Sequence, residues 1–114
     1  MRLGNKAIPE ALAGIGTDAL PAILQAMKSA DPYVRSEAIA AIRILGPAAK
    51  GAVPALTGAL EDQNRAVQIN ACMALAALGP AAAEAAPSLK RRLEDPIIGK
   101  HAELALGAVA PTQK

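Results

Sequence analysis

Proline recurs at positions 21, 54 and 87, two intervals of 33 residues, and a Gly-Pro pair recurs at 46–47 and 79–80 over the same interval. Self-similarity at a fixed period of this length is the mark of a small structural unit repeated and stacked on its neighbours. Around the prolines run ALPAILQAM, AVPALTGAL and AAPSLKRRL. The apolar residues two and six beyond each proline are Ile23/Met27, Leu56/Leu60 and Leu89/Leu93. That i, i+4 spacing is one face of a helix. A proline at the first helical position withholds no N–H that the helix needs.

A second helical segment follows each of these. YVRSEAIAAIRIL aligns with AVQINACMALAAL at the same interval of 33, matching Val34, Ala38, Ile42 and Leu45 to Val67, Ala71, Leu75 and Leu78. The third copy keeps register only with two residues removed from the loop near Asp95, which places Ile98, Ala102, Leu106 and Val109 on the same stripe. Gly46 and Gly79 then fall just past the last apolar residue. A left-handed helix cap is expected there, with the following proline preventing continuation. The third copy has Ala110 in that place and is expected to end without this cap.

Composition agrees with helices. Alanine supplies 29 of 114 residues, Phe and Trp are absent, and Tyr33 is the sole aromatic. Alanine is the best helix former and leaves room for close helix approach. The expected fold is all-α: an α–α superhelix, a right-handed solenoid of about three helix pairs. At this length it forms one domain, 1–114, with repeats at 16–47, 48–80 and a short 81–111. Residues 1–15, containing the first-helix-like AIPEALAG, read as an N-terminal cap or partial repeat.

The pattern LGPAA…AVPAL…AL-x-D…V-R-x-x-A…A-x-x-x-L-G resembles the HEAT-like repeats of many bacterial proteins, those called phycobilisome-lyase-type, over residues 16–111. Ankyrin repeats share the period but carry a TPLH-like segment that is missing here, and three-helix armadillo repeats fit the spacing worse. The resemblance implies a ladder in which an acid of one repeat reaches the arginine of the repeat before. Asp62 and Asp95 stand in the acidic place and Arg35 in the basic one, while Ser29, Gln68 and Gly99 depart from the pattern. The expected rungs are Asp62 to Arg35, and Asp95 to a neutral Gln68. The resemblance also implies that second helices line the concave surface.

No reaction is encoded by the side chains. His101 is the sole histidine, in His101-Ala102-Glu103. HEAT-like iron hydroxylases carry several His-Glu steps, whereas one histidine cannot assemble an ordinary transition-metal site. Cys72 aligns with Ile39 and reads as a small core residue rather than a nucleophile. No cofactor is expected and the chain is not expected to be an enzyme. Net charge is +2, far from the footprint of a dedicated nucleic-acid binder. The basic residues of the second helices are only Arg35, Arg43 and Lys100, with Arg65 at the entry, so a phosphate groove is a rival reading.

The lone cysteine excludes an intramolecular disulfide, and the N-terminus lacks a sustained apolar run or an A-x-A site, so a cytoplasmic location is expected. The longest uncharged run, residues 66–83, contains Gln68, Asn70 and the Gly79-Pro80 break and is not read as a membrane span.

The leading expectation is a non-catalytic protein-interaction scaffold acting through the concave face. A nucleic-acid binder and an accessory chromophore-lyase-like protein are the alternatives. The residues placed on that face are Tyr33, Glu37, Arg43, Ile69, Asn70, Met73, Lys100, His101 and Leu104. Ile69, Met73 and Leu104 are apolar where a solvated face would be polar. Either they bind a partner, or a modest rotation of the helix tucks them against the core. Solenoid ends also expose apolar surface, so homo-oligomers through the ends are a further expectation.

Overall fold

The computed structural model describes residues 19–110. Among them lie α1 (Leu20–Ala26), α2 (Pro32–Leu45), α3 (Val53–Ala59), α4 (Arg65–Leu78), α5 (Ala86–Arg91) and α6 (Gly99–Val109). Seven-residue 3₁₀ segments, Gly46–Ala52 and Gly79–Ala85, lead from α2 into α3 and from α4 into α5. No strand occurs among the described residues, and the fold is an α–α superhelix of three helix pairs. The cap or partial repeat expected at 1–15 lies outside the described residues.

The period is visible in the backbone. α2 and α4 begin 33 residues apart and end 33 residues apart. Each opens on a side-chain cap at an equivalent position. The Asp31 carboxylate accepts the Tyr33 N–H at 2.9 Å, and the Asn64 side-chain oxygen accepts the Val67 N–H at 3.2 Å. Such caps satisfy donors that the first helical turn leaves without partners. The prolines of the short helices α1, α3 and α5 sit at the second helical position, one later than expected. That position is equally free of an intrahelical acceptor.

The glycine caps differ from expectation in an instructive way. Gly46 has φ 63° and ψ −145°, and Gly79 has φ 61° and ψ −141°. The φ is positive as expected, but the ψ is far from the left-handed helical value. The next residue is proline, whose ring disfavours helical ψ in its predecessor and drives it toward extended values. Positive φ with extended ψ is a region essentially reserved for glycine. The Gly-Pro pair thus demands glycine more strictly than an ordinary helix cap does. Ala110 ends α6 with φ −137° instead.

Alanines recur in the helix contacts: Ala38, Ala71 and Ala102 are buried, as are Ala41, Ala74 and Ala105. Their short side chains let α2, α4 and α6 pack directly on one another, the most extensive contacts in the molecule. α1, α3 and α5 make no comparable contacts among themselves. The stack is therefore tight along the second helices and splayed along the first. α4, flanked on both sides, buries Val67, Ala71, Cys72, Leu75 and Leu78, whereas Val34 and Leu45 of α2 and Leu106 of α6 are only half-buried.

Leu93 is a correction. Its counterpart Leu60 is fully buried, but Leu93 is 39% exposed. Full burial of a leucine contributes about 1.5–3 kcal/mol. Leu60 obtains this and Leu93 does not, while Met27, the first-repeat counterpart, is half-buried.

Residues 32–59 and 65–91 are each long and apolar enough to cross a membrane by length and composition alone. Neither is one helix. Each is interrupted at its glycine cap, and Ala49 and Ala82 within the 3₁₀ segments have non-helical angles.

Candidate functional site

The loop before each second helix contains one recurring turn. Ser29 Oγ accepts the Asp31 N–H at 3.0 Å, Asp62 Oδ1 accepts the Asn64 N–H at 2.9 Å, and Asp95 Oδ1 accepts the Ile97 N–H at 2.7 Å. Short side-chain oxygens holding the amide two residues on are a standard turn device. Ser29, which departs from the acidic pattern, keeps this role and lacks only the charge.

Asp95 does more than its counterparts. It also accepts the Ile98 N–H at 3.1 Å, the bond that Asn64 makes to Val67 in the second repeat. The missing two residues bring the turn position and the capping position onto one side chain. The same shortening presses Gly99 against the loop: a Cβ there would lie 2.5 Å from the Leu93 carbonyl oxygen. Gly99 occupies the place of Arg35 and Gln68, where this loop leaves no room for a side chain.

Arg35 grips Asp62 with two bonds, Nε to Oδ2 at 2.8 Å and Nη2 to Oδ1 at 2.9 Å. Its Nη1 donates to the Ser29 carbonyl at 2.8 Å. Gln68 Nε2 donates to the Asp62 carbonyl, the equivalent bond one repeat later. Burial pushes the Asp62 carboxyl up, but the Arg35 guanidinium and the Asn64 amide outweigh it and hold it below its ordinary value.

The second rung needs correcting. Asp95 is reached not by Gln68 but by Arg65, whose Nη1 lies 3.0 Å from Asp95 Oδ2 and 2.8 Å from Gln68 Oε1. A neutral amide cannot neutralise a carboxylate, so Arg65 takes over the charge while Gln68 positions it. The Asp95 carboxyl is lowered chiefly by the Ile98 and Ile97 amides, against a burial effect and with help from Arg65. Arg92 adds a contact of 3.3 Å to Glu61. Arg65 escapes the repeat alignment because its counterpart in the first copy is Pro32. Its i, i+3 spacing to Gln68 on one helix is the signal that reveals it.

The residues expected on the second-helix face have different environments. Tyr33 and Leu104 are 64% and 68% exposed, and Arg43 and Lys100 are exposed. Glu37, Asn70, Met73 and His101 are half-buried. Ile69 is half-buried and packs against the core. Ile97, in register with Tyr33, is 52% exposed.

Cys72 is buried between the stacked repeats, and burial pushes its thiol up to about 11 despite the opposing charge of Arg92. A thiol so placed is a poor nucleophile. No group of three or more His, Cys, Asp or Glu side chains positioned to hold a metal ion occurs among the described residues.

The family model for HEAT repeats matches residues 20–107. No curated protein and no solved structure matches the chain.

Proposed function

Since the chain belongs to the HEAT-repeat family, whose members commonly serve as protein-interaction scaffolds, we propose that it is a non-catalytic scaffold whose protein partner docks on the face formed by α2, α4 and α6. One observation carries this reading. Of the five large hydrophobic residues most exposed among those described, Tyr33, Ile97 and Leu104 hold register positions of that face. Apolar side chains gathered on one side, rimmed by Arg43 and Lys100, are the usual composition of a docking surface. The affinity to the phycobilisome-lyase-type branch belongs to this proposal and rests on the LGPAA and AVPAL segments.

Of the two other readings, a phosphate groove loses a residue, because Arg35 is committed to Asp62 and to the Ser29 carbonyl. The chromophore-lyase-like reading has no supporting side-chain arrangement.

The test places a photo-crosslinking residue at 104 or 73 and, as control, at 90 on the first-helix side. A discrete adduct from 104 and 73 but not 90, abolished by Met73→Glu or Tyr33→Ala with the circular dichroism unchanged, is the expected result. Equal adducts from all three positions refute the assignment.

A further inference from the structure

Between the first and second repeats, on the splayed side of the stack, lies a cavity of about 470 Å³. Leu24, Met27 and Pro54 supply accessible apolar surface over the fully buried Ile39 and Val67, and Arg35 and Asp62 also line it. Its size falls within the range of roughly 300–1,000 Å³ typical of small-molecule sites, which combine mostly apolar walls with a few polar groups.

The corresponding junction between the second and third repeats is built differently. Where the cavity is bordered by Ala55, Gly58 and Ala59, the later repeat carries Ser88, Arg91 and Arg92. Arg91 Nη2 donates to Ser88 Oγ at 3.0 Å, and Arg92 crosses to Glu61 at 3.3 Å. Arg92, half-buried, spans the later junction where the earlier one has only the methyl group of Ala59, while Arg91 is exposed where the earlier one has Gly58. The fold thus accepts a long side chain at this junction, and none among the described residues spans the first one in this way.

The charges around the cavity narrow the ligand class. Asp62 is matched by Arg35, and Arg35 is engaged at all three of its nitrogens. Lys28, at the mouth, makes no salt bridge with any described residue. A mostly apolar pocket with an ammonium that no described residue pairs complements a molecule with an apolar body and an anionic head. We infer that this cavity binds a small amphipathic anion, an alkyl carboxylate, with its chain against Leu24, Met27 and Pro54 and its carboxylate at Lys28. The residues that line this site are not those of the proposed docking face, and either can stand without the other.

Calorimetric titration of the full chain with decanoate tests the inference. One molecule is expected to bind per chain, with affinity reduced about tenfold by Lys28→Glu, the size of a lost and reversed charge contact. Binding of 1-decanol is expected to be indifferent to Lys28→Glu. The double variant Gly58→Arg/Ala59→Arg, copying the third repeat, is expected to abolish decanoate binding with the helical content unchanged. Ala55→Leu provides a second, smaller filling should the double variant not fold. Absence of decanoate binding up to about 1 mM overturns the inference. So does binding undiminished in the filled variants, or a decanoate affinity unmoved by Lys28→Glu.

Discussion

Truncating Arg35 to alanine tests whether the acid–arginine contact between repeats holds the stack together. The substitution removes both bonds to Asp62 and the donor to the Ser29 carbonyl. The side chains are 19% and 14% exposed, between a surface pair and a buried one. Exposed pairs contribute about 0–1 kcal/mol, while breaking a buried pair costs about 3–5 kcal/mol. With a bidentate contact and a third bond lost, Arg35→Ala is expected to cost about 2 kcal/mol. For a domain of this size that lowers Tm by about 8–16 °C. Urea unfolding should show the lower midpoint with an unchanged m-value. A double-mutant cycle with Asp62→Ala should give a coupling of about 1 kcal/mol or more.

The pH dependence has a definite sign. Asp62 has a folded-state pKa below its unfolded value of about 3.9. Its contribution is therefore complete above that unfolded value and is lost as pH falls through the lower, folded one. The gap between wild type and Arg35→Ala should hold steady from about pH 7 to pH 5 and close below about pH 4. A loss under about 0.5 kcal/mol, no coupling in the cycle, or a gap that widens in acid would refute the reasoning.

Other substitutions probe the remaining devices. Gly79→Ala should cost about 1–3 kcal/mol in urea unfolding, because alanine strains at the backbone angles found there, whereas Gly107→Ala, with open space around it in α6, should stabilise by about 0.5–1 kcal/mol. Gly99→Ala drives a methyl into the Leu93 carbonyl and should cost about 1–3 kcal/mol, with faster hydrogen exchange at the Ile97 and Ile98 amides. Alkylation of Cys72 by iodoacetamide at pH 8 should be slow and rise with urea in step with unfolding; prompt labelling of the folded chain would contradict its buried, raised thiol.

Much of this architecture is legible in the chain because repetition amplifies weak local signals. Pro21, Pro54 and Pro87 mark three helix starts, and Gly46-Pro47 and Gly79-Pro80 mark two ends. Asp62 and Arg35 occupy the acidic and basic places of the repeat pattern, and the resemblance to HEAT-like repeats implies their contact. What escaped depends on neighbours rather than on local pattern. Leu93 and Leu60 hold matching places in the repeat, and no local pattern distinguishes the exposed one from the buried one. Ile69 packs half-buried against the core, one of two environments that its place in the helix leaves open. Arg65, placed by sequence at the helix entry, aligns with a proline in the first copy, so the alignment gives no hint of its pairing with Asp95. The cavity arises from small residues on α3 meeting the separation of α1 and α3, and neither is visible alone. The extended ψ of the cap glycines follows from the proline after them, a pairwise effect that a residue-by-residue reading overlooks.

In the first two repeats, closing the loop and starting the second helix are separate tasks, given to Ser29 and Asp31, then to Asp62 and Asn64. In the third, both tasks and an ion pair converge on Asp95. Division of labour confines damage in the earlier loops: a lesion at one side chain costs one task and leaves the other working. The shorter loop has no such division. Its compactness makes it a single point of failure, and the last helix pair is where damage to one atom group would first become a detached end.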